Sequence, residues 1–182
     1  MLTRSPVLVI DQVTSVFTND FAIHGPDESV LGHIRTEGGG VGRLFFGNRE
    51  FSVFDASGAL MLQLHDEFNV GLDTFSVYDA GGHQLAQVIR ELAFFKEQLT
   101  IAMADGALLN VAGQFLDFEY DITGGGVSVA HVSRHLPGMS GVLLGRDRYV
   151  VSFDERAPGH FRLAVLGATI CIDLIRSKRR RS

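Results

Sequence analysis

Cysteine, proline and tryptophan are scarce in this 182-residue sequence, which has one cysteine, four prolines and no tryptophan. A single cysteine excludes an internal disulfide framework and fits a reducing compartment. Cys171 lies within an apolar run, where we expect a buried thiol that does not act as a nucleophile. Folding must therefore depend on a hydrophobic core, and a chain of this length buries about 70% of its unfolded surface.

The most apolar segment is the ten-residue run Leu163–Ile172. A helix that spans a bilayer requires roughly 20 apolar residues, and the charged residues Arg162 and Asp173 flank this run. The N-terminal stretch Val7–Ile10 is shorter than the apolar core of a signal peptide and has no small-residue cleavage site. We therefore expect a cytoplasmic protein without a membrane span.

The net charge of −5 argues against general nucleic-acid binding, which requires an excess of positive charge. The C-terminal tail has the opposite sign, because five of the last seven residues are basic: Arg176, Lys178, Arg179, Arg180 and Arg181. Such a tail is commonly a solvated extension that complements the negative end of a helix. Contact with an anionic surface is the alternative.

One hairpin motif occurs twice, as Phe51–Gly58 (FSVFDASG) and again 24 residues later as Phe75–Gly82 (FSVYDAGG). Asp at the first turn position and Gly at the fourth favour a type I turn followed by a residue with positive φ. Weaker copies turn at residues 26–28 and at Asp105-Gly106. Successive hairpins predict an antiparallel meander.

Residues 117–122 alternate strictly, with Phe118, Tyr120 and Ile122 on one face and Asp117, Glu119 and Asp121 on the other.

Strands are also predicted at residues 127–132 and 149–153, and a helix from about residue 160 to 176. A helix that is apolar all round must be enclosed. The sequence therefore predicts a mainly β fold, in which a closed antiparallel barrel encloses the C-terminal helix, with Gly167 and Ala168 allowing close approach of the wall. Residues 1–176 form this single domain, and residues 177–182 form the basic tail.

Three segments resemble the tubby C-terminal-like superfamily, in particular its LURP-one-related and phospholipid-scramblase-like branch. They are Arg43–Asp55 (RLFFGNREFSVFD), the hairpin Phe75–Gly82, and Arg148–Phe153 (RYVVSF) before the apolar helix. The resemblance covers nearly the whole chain. It implies a barrel of twelve strands around a central helix, in a family that acts through membranes, phospholipids or protein partners without known catalytic residues.

The sequence also departs from relatives of this kind. No set of basic residues matches the phosphoinositide-binding residues of tubby-type members, and the proline-rich region and cysteine cluster of scramblase-type members are missing. Asp147, Asp154 and Glu155 lie where scramblases carry a calcium loop, but their spacing lacks the alternating oxygen ligands that calcium loops need. Scramblase activity is therefore less favoured than simple lipid binding.

Residues with possible catalytic or metal-binding chemistry are few. His131 and His135 have a spacing that binds zinc on a helix, but on a strand four residues span roughly 13 Å, too far for one metal. The alternating acids at 117, 119 and 121 fit a solvent-facing strand with cross-strand Lys or Arg partners. No nucleophile elbow or phosphate-binding loop occurs. We expect no enzyme activity, no cofactor and no metal.

We expect a barrel that binds anionic phospholipid, or associates peripherally with the inner membrane face, without catalysing a reaction. The candidate lipid contacts are Arg43, Phe45, Phe46, Arg49, Arg176, Lys178, Arg179, Arg180 and Arg181. The alternative is a protein-interaction or scaffold module, and a barrel carrying a small apolar ligand is disfavoured because the helix fills the interior.

Overall fold

The computed structural model describes residues 2–11, 20–37, 50–67, 73–93, 96–114, 117–134 and 148–179. Within these ranges the chain forms twelve strands and one long C-terminal helix, preceded by a short 3-10 helix at Leu2–Arg4. The predicted mainly β class is therefore confirmed.

The strands pair in chain order, and every pair is antiparallel. Because β1 pairs with both β2 and β12, the sheet closes into a barrel. The elements are β1 Val7–Asp11, β2 Asp20–His24, β3 Val30–Glu37, β4 Glu50–Asp55, β5 Leu60–Glu67, β6 Asp73–Asp79, β7 Gln84–Ala93, β8 Lys96–Met103, β9 Leu108–Gln114, β10 Glu119–Gly124, β11 Val127–Ser133, β12 Arg148–Phe153 and α1 Gly159–Arg179.

The strands turn their apolar side chains inward with a period of two. On β5, for example, Leu62 and Leu64 are fully buried, and Val53 and Val77 are equally buried on the two neighbouring strands. The predicted face division near residue 120 is confirmed, since Tyr120 and Ile122 are buried while Asp121 is exposed. Alternation therefore gives the barrel an apolar interior.

Four of the hairpins share one five-residue turn. In each, the amide of the first residue donates to the carbonyl of the fifth, and the amide of the fourth donates to the carbonyl of the first. The fourth residue has positive φ, as in Gly58 (83°) and Gly82 (78°), a backbone region that glycine enters without steric cost. The predicted type I turns with glycine are thus confirmed. The four turns comprise residues 25–29, 55–59, 79–83 and 103–107.

An up-and-down barrel places alternate connections at opposite ends. The four shared turns and the β10–β11 turn lie at one end, which we call the turn end, and α1 begins there after β12. The other end, which we call the tail end, receives the C-terminal end of α1. With about 1.5 Å of rise per residue, the 21 residues of α1 extend about 31 Å from one end to the other.

Helix α1 occupies the barrel interior. Its side chains from Ala164 to Ile172 are at most 1% exposed wherever they are apolar. At Gly167 an added Cβ would lie 2.9 Å from Cγ1 of Val77 and 3.1 Å from Cδ2 of Leu64. The predicted close approach at Gly167 is therefore confirmed, and the absence of a side chain there lets the helix lie directly against β5 and β6.

Arg162 connects the first turn of α1 by hydrogen bonds to the segment after β12 and to the N-terminal segment. Its guanidinium donates to the carbonyl oxygens of Ala157 (3.0 Å) and Asp154 (2.9 Å), and it also reaches the carbonyls of Thr3 and Ser5 near the N-terminus. The guanidinium carbon lies 5.4 Å from the ring centroid of Phe153. A charged side chain that flanks the apolar run is thus buried, because backbone carbonyls satisfy its donors.

Two boundaries differ from the sequence-based expectation. Helix α1 begins at Gly159 and continues to Arg179, three residues beyond the expected end, so the helix includes part of the segment expected to be a tail. Strand β1 at Val7–Asp11 was not assigned from its own residues. It is five residues long and takes its place through pairing with β12 at the far end of the chain.

The contact at Gly167 generates a prediction about packing. Gly167→Ala should lower stability by about 1 kcal/mol, because overpacking against Val77 costs about 1–3 kcal/mol and the gain in helix propensity offsets only about 1 kcal/mol of it. In a protein of this size the melting temperature should fall by about 2–4 °C, measurable by circular dichroism.

A double-mutant cycle separates this contact from a general loss of helix stability. Val77→Ala alone should destabilise by about 2 kcal/mol, and the pair Gly167→Ala with Val77→Ala should be more stable than the sum of the single effects. The matched control is Gly159→Ala, where an added Cβ meets nothing within 4 Å. Strict additivity of the two core changes would contradict the proposed contact.

Candidate functional site

Among the described residues, buried side chains of α1 occupy the barrel interior. The crevice between α1, β1, β12 and the N-terminal segment is too narrow to admit a water molecule. Its lining residues are Leu2, Thr3, Leu8, Phe153, Arg162, Leu163 and Leu166. This crevice therefore offers no space for a ligand, whereas the two ends of the barrel carry charged side chains.

At the tail end, an aromatic and cationic group surrounds the last described turns of α1. The rings of Phe118 and Tyr149 are stacked, with centroids 4.3 Å apart and planes 7° from parallel. The guanidinium carbons of Arg176, on α1, and Arg134, after β11, lie 5.0 and 5.9 Å from the Phe118 ring centroid. Cation–π attraction thus holds two half-buried arginines at this end of the barrel.

Phe118 occupies an unusual backbone conformation. Its φ is 55° although it is not glycine, and its side chain is fully buried. Bulky residues with positive φ are strained and persist only where the surroundings fix them. The neighbouring Gly113 allows this arrangement, because a Cβ there would lie 2.6 Å from the carbonyl oxygen of Glu119.

The interior near the tail end also contains buried polar side chains. Tyr120 and Tyr149 are at most 1% exposed, and Asp173 on α1 is fully buried. Burial raises the pKa of both tyrosines, and the nearby Asp173 carboxylate adds to the increase. Both phenols therefore stay protonated at physiological pH, which makes them hydrogen-bonding groups rather than nucleophiles.

The turn end is acidic. The carboxylate of Asp55 accepts hydrogen bonds from the hydroxyl and amide of Ser57 and from the amide of Ala59, and that of Asp79 accepts from the amides of Gly81 and His83. These bonds lower the pKa of Asp55, chiefly through Ser57, and of Asp79, chiefly through the His83 amide. Asp27 and Asp154 are held similarly, and their pKa values are also lowered.

Most candidate lipid contacts lie outside the described residues. This is the case for Arg43, Phe45, Phe46, Arg49, Arg180 and Arg181, and the glycine-rich connection at 38–42 is outside them too. Lys178 and Arg179 belong to α1 by their backbone. Arg176 is half-buried beside Phe118, so the structure assigns a contact to one candidate.

The acidic face of β10 meets a histidine on β11. Nδ1 of His131 lies 2.8 Å from Oδ1 of Asp121, and Nε2 lies 3.6 Å from Oε1 of Glu119. A Lys or Arg was expected as the cross-strand partner, and the partner seen here is His131. His135 lies outside the described residues. Among the residues described, no three His, Cys, Asp or Glu side chains are placed to hold a metal ion.

The sequence did not indicate the group around Phe118. Tyr149 on β12 and Arg134 after β11 are both separated from Phe118 in sequence, and strict alternation through residue 118 predicted an ordinary strand there. A weak signal was available at Gly113 within β9, because a glycine within a strand pattern often marks a close backbone approach.

Together these observations define a class of protein, the tubby-like barrel, in which twelve antiparallel strands enclose the C-terminal helix. The sequence matches the LURP-one-related family over residues 7–173. The chain belongs to the LURP-one-related family, which confirms the resemblance found in the sequence.

A protein from Arabidopsis thaliana with a known crystal structure is similar in fold. The TM-score is 0.56 at 15% sequence identity, and the match covers 92% of each chain. At this identity the likeness shows the fold alone. No protein of curated function matches the chain. In the described part of the chain, no helix has both the length and the hydropathy needed to cross a bilayer.

The turn aspartates generate a prediction about pH dependence. At about pH 7, Asp55→Ala with Asp79→Ala should lower the melting temperature more than Asp55→Asn with Asp79→Asn, because asparagine keeps an acceptor oxygen for the turn amides. The folded-state pKa values lie below the ordinary 3.8. The stability that ionisation contributes is therefore present above pH 3.8 and is lost as pH falls through the folded pKa values.

Thermal unfolding of wild type and the Asn pair across this range checks the sign. The advantage of the wild type should be present at neutral pH and should disappear in acid. Glu155→Gln, a change at an exposed carboxylate outside these turns, is the matched control. An advantage that persists unchanged at the lowest pH would contradict the assignment to ionised turn carboxylates.

Proposed function

We propose that this protein is a non-enzymatic barrel that associates peripherally with membranes by binding anionic phospholipid at its tail end. The observation that carries the proposal is the difference in charge between the two ends of the barrel. The turn end carries the carboxylates of Asp27, Asp55, Asp79, Asp105 and Asp154. The tail end carries Arg134, Arg176 and the start of the basic C-terminal sequence, together with strand-end carboxylates such as those of Glu50, Glu67 and Glu119.

This difference favours one orientation on a negatively charged surface. Each basic residue near an anionic leaflet contributes about 1 kcal/mol, whereas the turn carboxylates would be repelled. Helix α1 runs toward the tail end and brings Lys178 and Arg179 to it by its backbone. The negative end of the helix dipole is complemented by these cations.

The connections between strand ends at the tail end have a suitable composition. The sequence between β3 and β4 contains Arg43, Phe45, Phe46 and Arg49, and that between β7 and β8 is Phe94-Phe95. Aromatic side chains next to arginine are favoured in the interfacial region of a bilayer. The turns at the opposite end consist mainly of Asp, Gly, Ser and Ala.

The absence of catalysis is part of the proposal. The two buried tyrosines near Asp173 are kept protonated, and both ring nitrogens of His131 face carboxylates. The polar groups described at the tail end thus serve packing and charge placement. We propose no cofactor and no scramblase activity.

A protein-interaction or scaffold module is the second candidate, favoured by one observation at the turn end. Leu108 and Val127 are 58% and 53% exposed, and they begin strands on either side of β10. Exposed apolar side chains close to each other suit a protein contact. A partner bound there would leave the tail end free.

Cosedimentation with vesicles tests the first candidate. Wild type should bind vesicles containing phosphatidylserine, bind phosphatidylcholine vesicles weakly, and lose affinity at high salt because screening shortens the range of charge attraction. Replacing Lys178, Arg179, Arg180 and Arg181 with Gln should reduce binding at least about tenfold.

The matched control removes positive charge from the turn end. Arg4→Gln with Arg156→Gln changes two exposed arginines and should leave vesicle binding unchanged. If wild type fails to bind anionic vesicles even at low salt, the lipid proposal is wrong and the interaction module remains. Equal loss in the control would show that net charge alone, rather than the tail end, determines binding.

A further inference from the structure

In the described part of the chain, one strand junction of the barrel has fewer paired positions than the junctions next to it. Between the described residues of β1 and β2, two positions pair: Val9 with His24, and Ile10 with Ile23. On its other side, β1 pairs with β12 at five positions. We call the β1–β2 junction the seam. Fewer pairs between described residues favour opening at this junction over its neighbours.

Four charged or polar side chains bridge the outer face of the seam. Arg148 on β12 donates from Nε to Oδ1 of Asp11 on β1 at 2.9 Å, and from Nη1 to the two carboxylate oxygens of Glu28 at 3.2 and 3.0 Å. Nε2 of His24 lies 3.6 Å from Oδ2 of Asp11. This seam cluster of Asp11, His24, Glu28 and Arg148 connects β12 to the β2–β3 hairpin across β1.

Glu28 has a backbone conformation that its turn requires but that glutamate does not favour. Three of the four shared turns have glycine at the fourth position, namely Gly58, Gly82 and Gly106, and the first turn has Glu28 with φ of 63°. A glutamate there is strained relative to glycine. The contact with Arg148 supplies a reason for the exception, because glycine has no side chain to cross β1.

Strand β1 and the segment before it have contacts on the side away from the seam, including five paired positions with β12. Arg162 joins the carbonyls of Thr3 and Ser5, just before β1, to the first turn of α1. Opening at the seam would therefore leave β1 attached to β12 and α1, and would separate it from the β2–β3 hairpin. The break would expose the edge of β2 and the helix behind it.

From this arrangement we propose that Glu28 and Arg148 hold the barrel closed, and that the seam is the site at which the barrel opens first. The strain at Glu28 is kept because its carboxylate bridges the seam. The proposal concerns the barrel itself and holds whether or not the tail end binds lipid.

Glu28→Gly tests the proposal because the two explanations of Glu28 predict opposite signs. If Glu28 were an ordinary turn residue, glycine would relieve strain and stabilise the hairpin. If Glu28 closes the seam, hydrogen–deuterium exchange of amides near Val9, Ile10 and Ile23 should become on the order of fivefold faster, with exchange in β5–β8 unchanged.

Two further variants keep the test independent of backbone effects. Glu28→Gln retains the size and turn strain of the side chain while removing its charge, and Arg148→Gln removes the partner of Glu28. Each variant should accelerate hydrogen–deuterium exchange at the seam. The double variant should exchange little faster than either single variant. Raising the ionic strength should accelerate seam exchange in wild type and not in Glu28→Gln.

Arg156→Gln is the matched control, because Arg156 pairs with Asp154 two residues away and crosses no strand. It should leave seam exchange unchanged. Slower exchange in Glu28→Gly, or faster exchange spread evenly over all strands, would overturn the proposal. Unchanged exchange in both Gln variants would overturn it as well.

Discussion

The enclosure of α1 is the constraint on which the rest of the structure depends. A helix that is apolar on all sides is stable in water only when protein covers it, and its diameter of about 10–12 Å requires a wide barrel. Twelve strands provide this width and leave no unpaired sheet edge. Gly167 has no side chain, and this allows Val77 of the barrel wall to approach the helix backbone directly.

In the part of the chain that the structure describes, side chains of α1 occupy the interior of the barrel. Barrels that bind small molecules, such as the eight-stranded lipocalins, keep an open lumen, whereas here the helix lies in that place. The up-and-down topology then gives the two ends different chemistry. One end is made of short Asp-containing turns, and the other receives the helix terminus with its basic residues. A single topological rule thus produces the charge difference that supports the membrane proposal.

Local strain marks the places where distant parts of the chain meet. Among the described residues, Glu28 and Phe118 are the two non-glycine residues with positive φ. Each has a partner from far along the chain: Glu28 contacts Arg148, 120 residues away, and Phe118 stacks on Tyr149. Strain of this kind persists when tertiary contacts over-determine a conformation, so both positions report on closure of the barrel.

The hairpins, the inward face of each strand and the buried helix followed from the sequence alone. Asp55 and Gly58 determine their turn through contacts within five residues, and alternation around Tyr120 determines which side chains face inward. These features are local, so a short window of sequence contains their cause. The apolar run at Leu163–Ile172 likewise required enclosure whatever the remaining chain did.

Tertiary structure decided the features that join residues distant in sequence. Strand β1 is too short to be recognised by its pattern, and its place depends on pairing with β12. The burial of Arg162 depends on carbonyls near the N-terminus, 157 and 159 residues away, and the arginine group at the tail end depends on Phe118 in a strained conformation. Local propensity does not encode such contacts, because their free energy is gained only when the barrel closes.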